Sequence, residues 1–171
     1  MKAIVTGHKR GIGKAIFDYL TNLPEMKSVE GFSKSDGYDI SDKSVRSMIL
    51  SKCESANIFV NNAYNDHDSS QLMMLISVSE LWKGTSNKII NISSFESRTF
   101  HKYGLQKCKQ DDYCRSVKSP HIINMKPGYV DTDRVSYVEK PKMECSDLVD
   151  VLDFCLNSSV RIEEIKFRFK L

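Results

Sequence analysis

A three-layer αβα fold, a doubly wound parallel sheet covered by helices on both faces, is what this sequence predicts, and three observations predict it. Apolar strand-like runs alternate with segments of helical periodicity along nearly the whole chain, and such alternation implies parallel strands joined by helical crossovers. A glycine-rich turn links the first strand to the first helix. No internal repeat, low-complexity tract or long linker interrupts the order, so the 171 residues read as one domain, 1–171.

The elements follow in order. Lys2 to Thr6 reads as a short buried strand. After the turn, Ala15, Ile16, Tyr19, Leu20 and Leu23 recur at helical spacing until Pro24. Ser28 to Ser33 is a second strand, and Ser41 is placed as cap of a helix with Val45, Met48, Ile49 and Cys53 on one face. Ile58 to Val60 is a strand, Gln71 to Lys83 a helix, and Lys88 to Ile92 a strand. Tyr103 to Val117 is a helix, followed by a strand, Ile122 to Met125, that runs into Pro127-Gly128. Ser146 is placed as cap of the helix carrying Leu148, Val149, Leu152 and Cys155. In the last strand Ile165, Phe167, Phe169 and Leu171 alternate with Lys166, Arg168 and Lys170. That period of two wets one face and puts the strand at a sheet edge.

Bulk properties narrow the class. A net charge of +3, from scattered residues, argues against nucleic acid as a partner. No run approaches the apolar length of a membrane span, and the start MKAIVTGHKRGIG lacks the long apolar region of a signal peptide, so a cytoplasmic protein is expected. Five cysteines without a Cys-x-x-Cys pair suggest reduced thiols. Asp66-His67-Asp68 reads as a solvated loop, and no metal site is expected.

The strongest local signal is Thr6-Gly7-His8-Lys9-Arg10-Gly11-Ile12-Gly13, after a strand and at the start of a helix. Glycines there let the backbone turn tightly and approach a pyrophosphate, which the unpaired N–H groups of the helix start would bind. Gly13 is expected to keep the space between helix and pyrophosphate clear, so that a larger residue would block the ligand and spare folding. A nucleoside triphosphate loop would need four residues between its glycines and a hydroxyl after its lysine. Here five residues separate Gly7 from Gly13, and Ala15 follows Lys14. The reading is therefore a Rossmann-like dinucleotide-binding domain.

Five further signatures accompany the turn: Asp39-Ile40-Ser41-Asp42, Asn61-Asn62-Ala63-Tyr64, Asn91-Ile92-Ser93-Ser94, Tyr103-x-x-x-Lys107 and Pro127-Gly128-Tyr129-Val130-Asp131-Thr132. Together, and in this order, they resemble the short-chain dehydrogenase/reductase family over nearly the whole of a shortened chain. The resemblance implies that Gly7, Gly11, Ile12 and Gly13 hold the pyrophosphate and that Asp39 and Ile40 meet the adenine. It puts Asn62 and Ala63 beside the adenine ribose, and Pro127, Gly128, Val130 and Thr132 around the nicotinamide. A homo-oligomer, dimer or tetramer, is expected by the same resemblance, through the long helices flanking the sheet.

NAD-specific sites carry an acidic residue after the second strand. Here that strand runs into Ser33-Lys34, and Arg10 adds a guanidinium suited to phosphate. NADP(H) is therefore the expected cofactor, while Asp36 could reach a ribose diol and leaves NAD(H) open.

Tyr103 and Lys107, four apart on a helix, share a face. A neighbouring ammonium is expected to lower the tyrosine pKa and ease proton exchange. The resemblance makes Tyr103 the general acid, Lys107 its partner and a ligand of the nicotinamide ribose, and Ser94 the residue that orients a carbonyl oxygen; Ser93 is the weaker candidate. The expected activity is hydride transfer between nicotinamide and a small carbonyl or alcohol substrate. The alternative is a non-catalytic NADP(H)-binding sensor or regulatory protein on the same fold. A sugar-nucleotide epimerase or dehydratase fits less well, since this chain lacks the larger C-terminal substrate domain.

The chain departs from the family's pattern in five places. The loop from Ser94 to Tyr103 is short. The family's Asn on the helix before the serine strand has no match, Gln71 being the nearest and a poor substitute, so its water-held proton relay is expected to be missing. Tyr64 stands where the family prefers Gly, next to the expected nicotinamide pocket. Ser33 to Asp39 leaves no room for a crossover helix, which needs roughly a dozen residues, so Tyr38-Asp39-Ile40 is expected as a stub strand or loop. The substrate lid, Asp133 to Met143, is brief.

Overall fold

The computed structural model describes residues 1–97 and 99–170, so Leu171 of the last alternating run lies outside the described residues. Strands β1 (Lys2–Thr6), β2 (Ser28–Phe32), β3 (Ile58–Asn61), β4 (Lys88–Ile92), β5 (His121–Pro127) and β6 (Glu164–Phe167) form one parallel sheet in the order β2-β1-β3-β4-β5-β6. Between them run helices α1 (Gly11–Thr21), α2 (Lys43–Cys53), α3 (Ser70–Leu81), α4 (Lys102–Ser116) and α5 (Cys145–Asn157).

Two apolar layers hold the helices to the sheet. On one face Ile16 and Leu20 of α1 and Leu148, Leu152 and Cys155 of α5 pack on Val5, Val60, Ile90 and Ile123. On the other, Ile49 and Cys53 of α2, Met74, Leu75 and Val78 of α3 and Cys114 of α4 pack on Ile4, Phe59, Ile89 and Ile122. The central strands β1, β3, β4 and β5 are buried on both sides, as parallel strands between helices must be. The edge strand β6 alternates, with Ile165 and Phe167 turned inward and Glu164 and Lys166 outward.

Two helix starts differ from the sequence reading. Asp42, not Ser41, caps α2, its carboxylate accepting from Ser44 N at 2.7 Å. Ser41 instead donates to Asp39, 2.7 Å from its carboxylate. Glu144, not Ser146, opens α5 in a capping box with Asp147, because a carboxylate at each end satisfies two unpaired backbone N–H groups at once. The expected gap after β2 is filled by a short 3-10 turn, Lys34–Asp36, and Tyr38 to Ile40 is loop, so the sheet ends at β2.

Candidate functional site

From β1 the chain passes to β2 on one side, whereas β3, the other neighbour of β1, leads on to β4 on the opposite side. At such a switch point the crossover helices diverge and leave a crevice at the C-terminal strand ends. Thr6-Gly7, Ser33, Asn61-Asn62-Ala63, Ser93-Ser94 and Pro127-Gly128 all stand at or just beyond those ends.

Gly7 and Gly11 take φ of +73° and +53°, which other residues adopt only at a cost. A Cβ on Gly13 would lie 2.1 Å from the Gly7 carbonyl oxygen and 2.4 Å from Asn62 Nδ2. The close approach at Gly13 is therefore of the chain to itself, which corrects the expectation that a larger residue there would spare folding. Asn62 locks the turn by donating to Thr6 O at 3.0 Å and Gly7 O at 3.3 Å, while the buried Thr6 hydroxyl accepts from Asn62 N and Ala63 N. Ile12 packs on the α1 side of the core, and Thr132 lies against Gly11. Helix α1 starts with no capping side chain and no acid in its first turn. No side chain therefore occupies its first N–H groups, which suits an anion such as a pyrophosphate.

Beyond β2, His8 packs on Gly31 and lies 3.3 Å from Ser33 Oγ. Lys34 pairs with Asp39 at 2.7 Å, and its ammonium with the Ser41 bonds holds that carboxyl down at about 2. Asp36 faces Lys9 at 3.4 Å and His8 at 3.7 Å. Arg10 is exposed at the start of α1. Ile40 is buried in the core, and its carbonyl accepts from the Arg46 guanidinium at 2.7 Å. Pro127 and Gly128 are tied to neighbouring strand ends by Phe95 N→Pro127 O and Gly128 N→Phe167 O, both 2.8 Å. Val130 is buried and bridges to Met143, which pins both ends of the lid.

The second cluster gathers Ser94, Tyr103 and Lys107. The short loop into α4 is possible because residue 104 is glycine: a Cβ there would stand 2.2 Å from Thr99 Oγ1 and 2.7 Å from Glu96 O. Burial raises the Tyr103 pKa, against the pull of the Ser94 hydroxyl and the Arg134 guanidinium. This corrects the expectation that Lys107 lowers it. Lys107 is itself buried, and burial first, then Arg134, pushes its pKa down to about 7. A lysine that gives up its proton near neutrality is a weak local source of positive charge.

Gln71, the nearest candidate for the family's Asn, bonds Lys107 directly. Its Oε1 accepts from Lys107 Nζ at 2.7 Å and from Gln110 Nε2 at 3.0 Å, while its Nε2 donates to Asn61 O at 2.8 Å. Lys107 also donates to Ile92 O at 2.7 Å. Ser93 is already engaged, donating to Asp111 at 2.5 Å.

Three residues outside the sequence-derived site complete it. The Tyr64 ring meets Tyr103 edge to face at 5.1 Å and lies over Lys107, 4.9 Å from Nζ. Its hydroxyl donates to Gln106. Arg134, in the 3-10 turn Asp133–Val135 of the lid, stacks on Tyr64 and pairs with Asp66. The signal for Tyr64 was the missing glycine; Arg134 and Asp66 had none, because their meeting depends on two loops distant in sequence.

Among solved structures the chain is similar to a short-chain dehydrogenase from Burkholderia cenocepacia in complex with NADP. The TM-score is 0.77 at 17% identity, covering 97% of this chain and 88% of that one. This is the short-chain dehydrogenase fold. An alcohol dehydrogenase from Thermococcus sibiricus, complexed with 5-hydroxy-NADP, shares it at TM-score 0.73 and 16% identity over 97% and 95% of the two chains. So does a 3-alpha-hydroxysteroid dehydrogenase from Pseudomonas sp. B-0831, complexed with NADH, at 0.76 and 14% over 98% and 94%. No family model and no curated protein sequence matches the chain. On this fold no described helix is long and apolar enough to cross a membrane.

Proposed function

We propose that this protein is an NADP(H)-dependent oxidoreductase acting on a small carbonyl or alcohol substrate. One observation carries the reading: Ser94, Tyr103 and Lys107 converge beside an uncapped glycine turn at the same strand ends. Structures of the same fold bound to NADP or NADH support a nicotinamide cofactor. Gly7, Gly11, Ile12 and Gly13 would hold its pyrophosphate, with Asn62 and Ala63 alongside. Arg10, Ser33 and Lys34 would receive a 2′-phosphate. Asp39 and Ile40 would flank the adenine, and Pro127, Gly128, Val130 and Thr132 would border the nicotinamide.

NADPH held there would supply a hydride for a carbonyl carbon. Ser94 orients the carbonyl oxygen. Tyr103 holds its proton firmly, since burial raises its pKa, and donates it to that oxygen as negative charge develops. The phenolate would regain its proton from solvent, while Lys107, its Nζ 5.7 Å from the Tyr103 ring, would bind the nicotinamide ribose. Tyr103→Phe should bind NADPH normally and lose reduction by about 10²–10⁴-fold, the range for a positioned acid. Unchanged turnover in that variant would refute the assignment.

The alternative, an NADP(H)-binding sensor without turnover, is separated from this reading by experiment. It predicts NADPH binding, no carbonyl reduction across a broad panel, and indifference to Tyr103→Phe. We further place the protein in the cytoplasm as a homo-oligomer. Met73 and Ile76 on α3 and Leu105 on α4, all exposed apolar residues, support an assembly through those helices, which light scattering would measure.

A further inference from the structure

The lid brings a cation beside Tyr103. The Arg134 guanidinium lies 4.7 Å from the Tyr64 ring centroid and 5.7 Å from that of Tyr103. Such stacking on two rings fixes its orientation. Its charge favours the deprotonated forms of both Tyr103 and Lys107. Among the described residues its carboxylate partner is Asp66, at 2.8 Å. Arg134 is 53% and Asp66 65% exposed, and an exposed pair of this kind is weak.

We infer that Arg134 is a substrate-recognition residue and that the carbonyl substrate carries a carboxylate, which displaces Asp66 from the guanidinium. The inference rests on the proposed role of Ser94 and Tyr103 in handling the carbonyl. A guanidinium presents paired N–H groups that match a carboxylate at two points. Asp66 holds that position until the substrate arrives, and the exchange trades a loosely held carboxylate on a loop for one attached to the reacting molecule. A neutral ketone has nothing to exchange.

The test compares benzoylformate with its methyl ester and acetoacetate with its ethyl ester, following NADPH oxidation. The readout is the ratio of the acid KM to the ester KM. Arg134→Leu should raise that ratio about ten- to a hundredfold, the worth of a charge-assisted bond. Asp66→Asn should lower it, because the internal competitor is gone. If both variants shift acid and ester by the same factor, the pair is a latch on the lid and the inference is overturned. If wild type reduces neither acid nor ester, the oxidoreductase reading falls, and calorimetric titration of benzoylformate decides the anion site by itself. Binding weakened by Arg134→Leu upholds it; binding that does not change, or is absent in wild type, overturns it.

Discussion

Lys107 is buried with its ammonium bonded to Gln71 and Ile92, and its pKa is pushed down to about 7 by burial first and Arg134 second. In the unfolded chain the same amine titrates at its ordinary 10.5. Between those values the unfolded state binds more protons, so stability rises with pH through this window. Below about 7 the full cost of a buried ammonium is present. Lys107→Met should therefore raise Tm near neutral pH, with a gain that shrinks as pH approaches 10.5. Neither acceptor is orphaned by the change: Gln71 Oε1 keeps Gln110 and Ile92 O keeps Gln71 Nε2. Thermal melts across this range check it; a loss of stability at neutral pH would show that the ammonium is fully compensated. The same variant should lose carbonyl reduction, which would make Lys107 a residue retained for chemistry at a cost in stability.

Helix α4 carries Tyr103 and Lys107 at one end and Asp111 a turn further on, and the sheet beneath is built to receive it. Asn61, Asn91 and Asn124 are register partners on β3, β4 and β5, linked by side-chain bonds of 2.9 and 2.8 Å. Asn124 then donates to Asp111 at 2.9 Å, and Lys126 of β5 pairs with Asp111 at 2.6 Å. Burial pushes the Asp111 carboxyl up, but the bonds from Asn124, Lys126 and Ser93 outweigh it and hold the pKa below its ordinary value. Its stabilising effect is thus present above the unfolded pKa and lost as pH falls through the folded one. Asp111→Asn leaves the Lys126 ammonium buried with only the more distant Glu164, at 3.4 Å. A loss of about 3–5 kcal/mol is expected in chemical denaturation. The double variant Asp111→Asn, Lys126→Met, in which the Asn oxygen can still accept from Asn124 and Ser93, should recover most of it; a double variant as unstable as the single one would place the cost in packing.

At the scale of the molecule, cofactor binding and folding are linked, because the crevice exists only when β1, β2 and β3 stand side by side. Any ligand that binds the native state alone stabilises it, by about 2.7 kcal/mol at a hundred times its Kd. NADPH should raise Tm more than NADH at equal concentration, if Arg10 and Ser33-Lys34 take the 2′-phosphate. Arg10→Ala should bring the two shifts together. Equal shifts in the wild type would defeat the preference for NADP(H). Lys34 is the weaker contributor of the two cations, since it is already paired with Asp39.

What the sequence determined by itself is what local periodicity and short motifs encode. Alternating strands and helices, the glycine turn, the edge position of β6 and the lack of room for a crossover helix between Ser33 and Asp39 were all legible, because each depends on neighbours along the chain. Ser94, Tyr103 and Lys107 were legible as a set through resemblance to the short-chain dehydrogenase/reductase family. The tertiary structure alone decided the electrostatics and the company of that set. Burial reversed the direction expected for Tyr103, since desolvation depends on how much of the fold surrounds a group. Gln71, read only as a poor substitute for the family's Asn, bonds Lys107 because the packing of α3 against α4 brings the two side chains together. Arg134 meets Asp66 and Tyr64 across loops some seventy residues apart, a contact that exists only once β3 and β5 have set the two loops on the same rim.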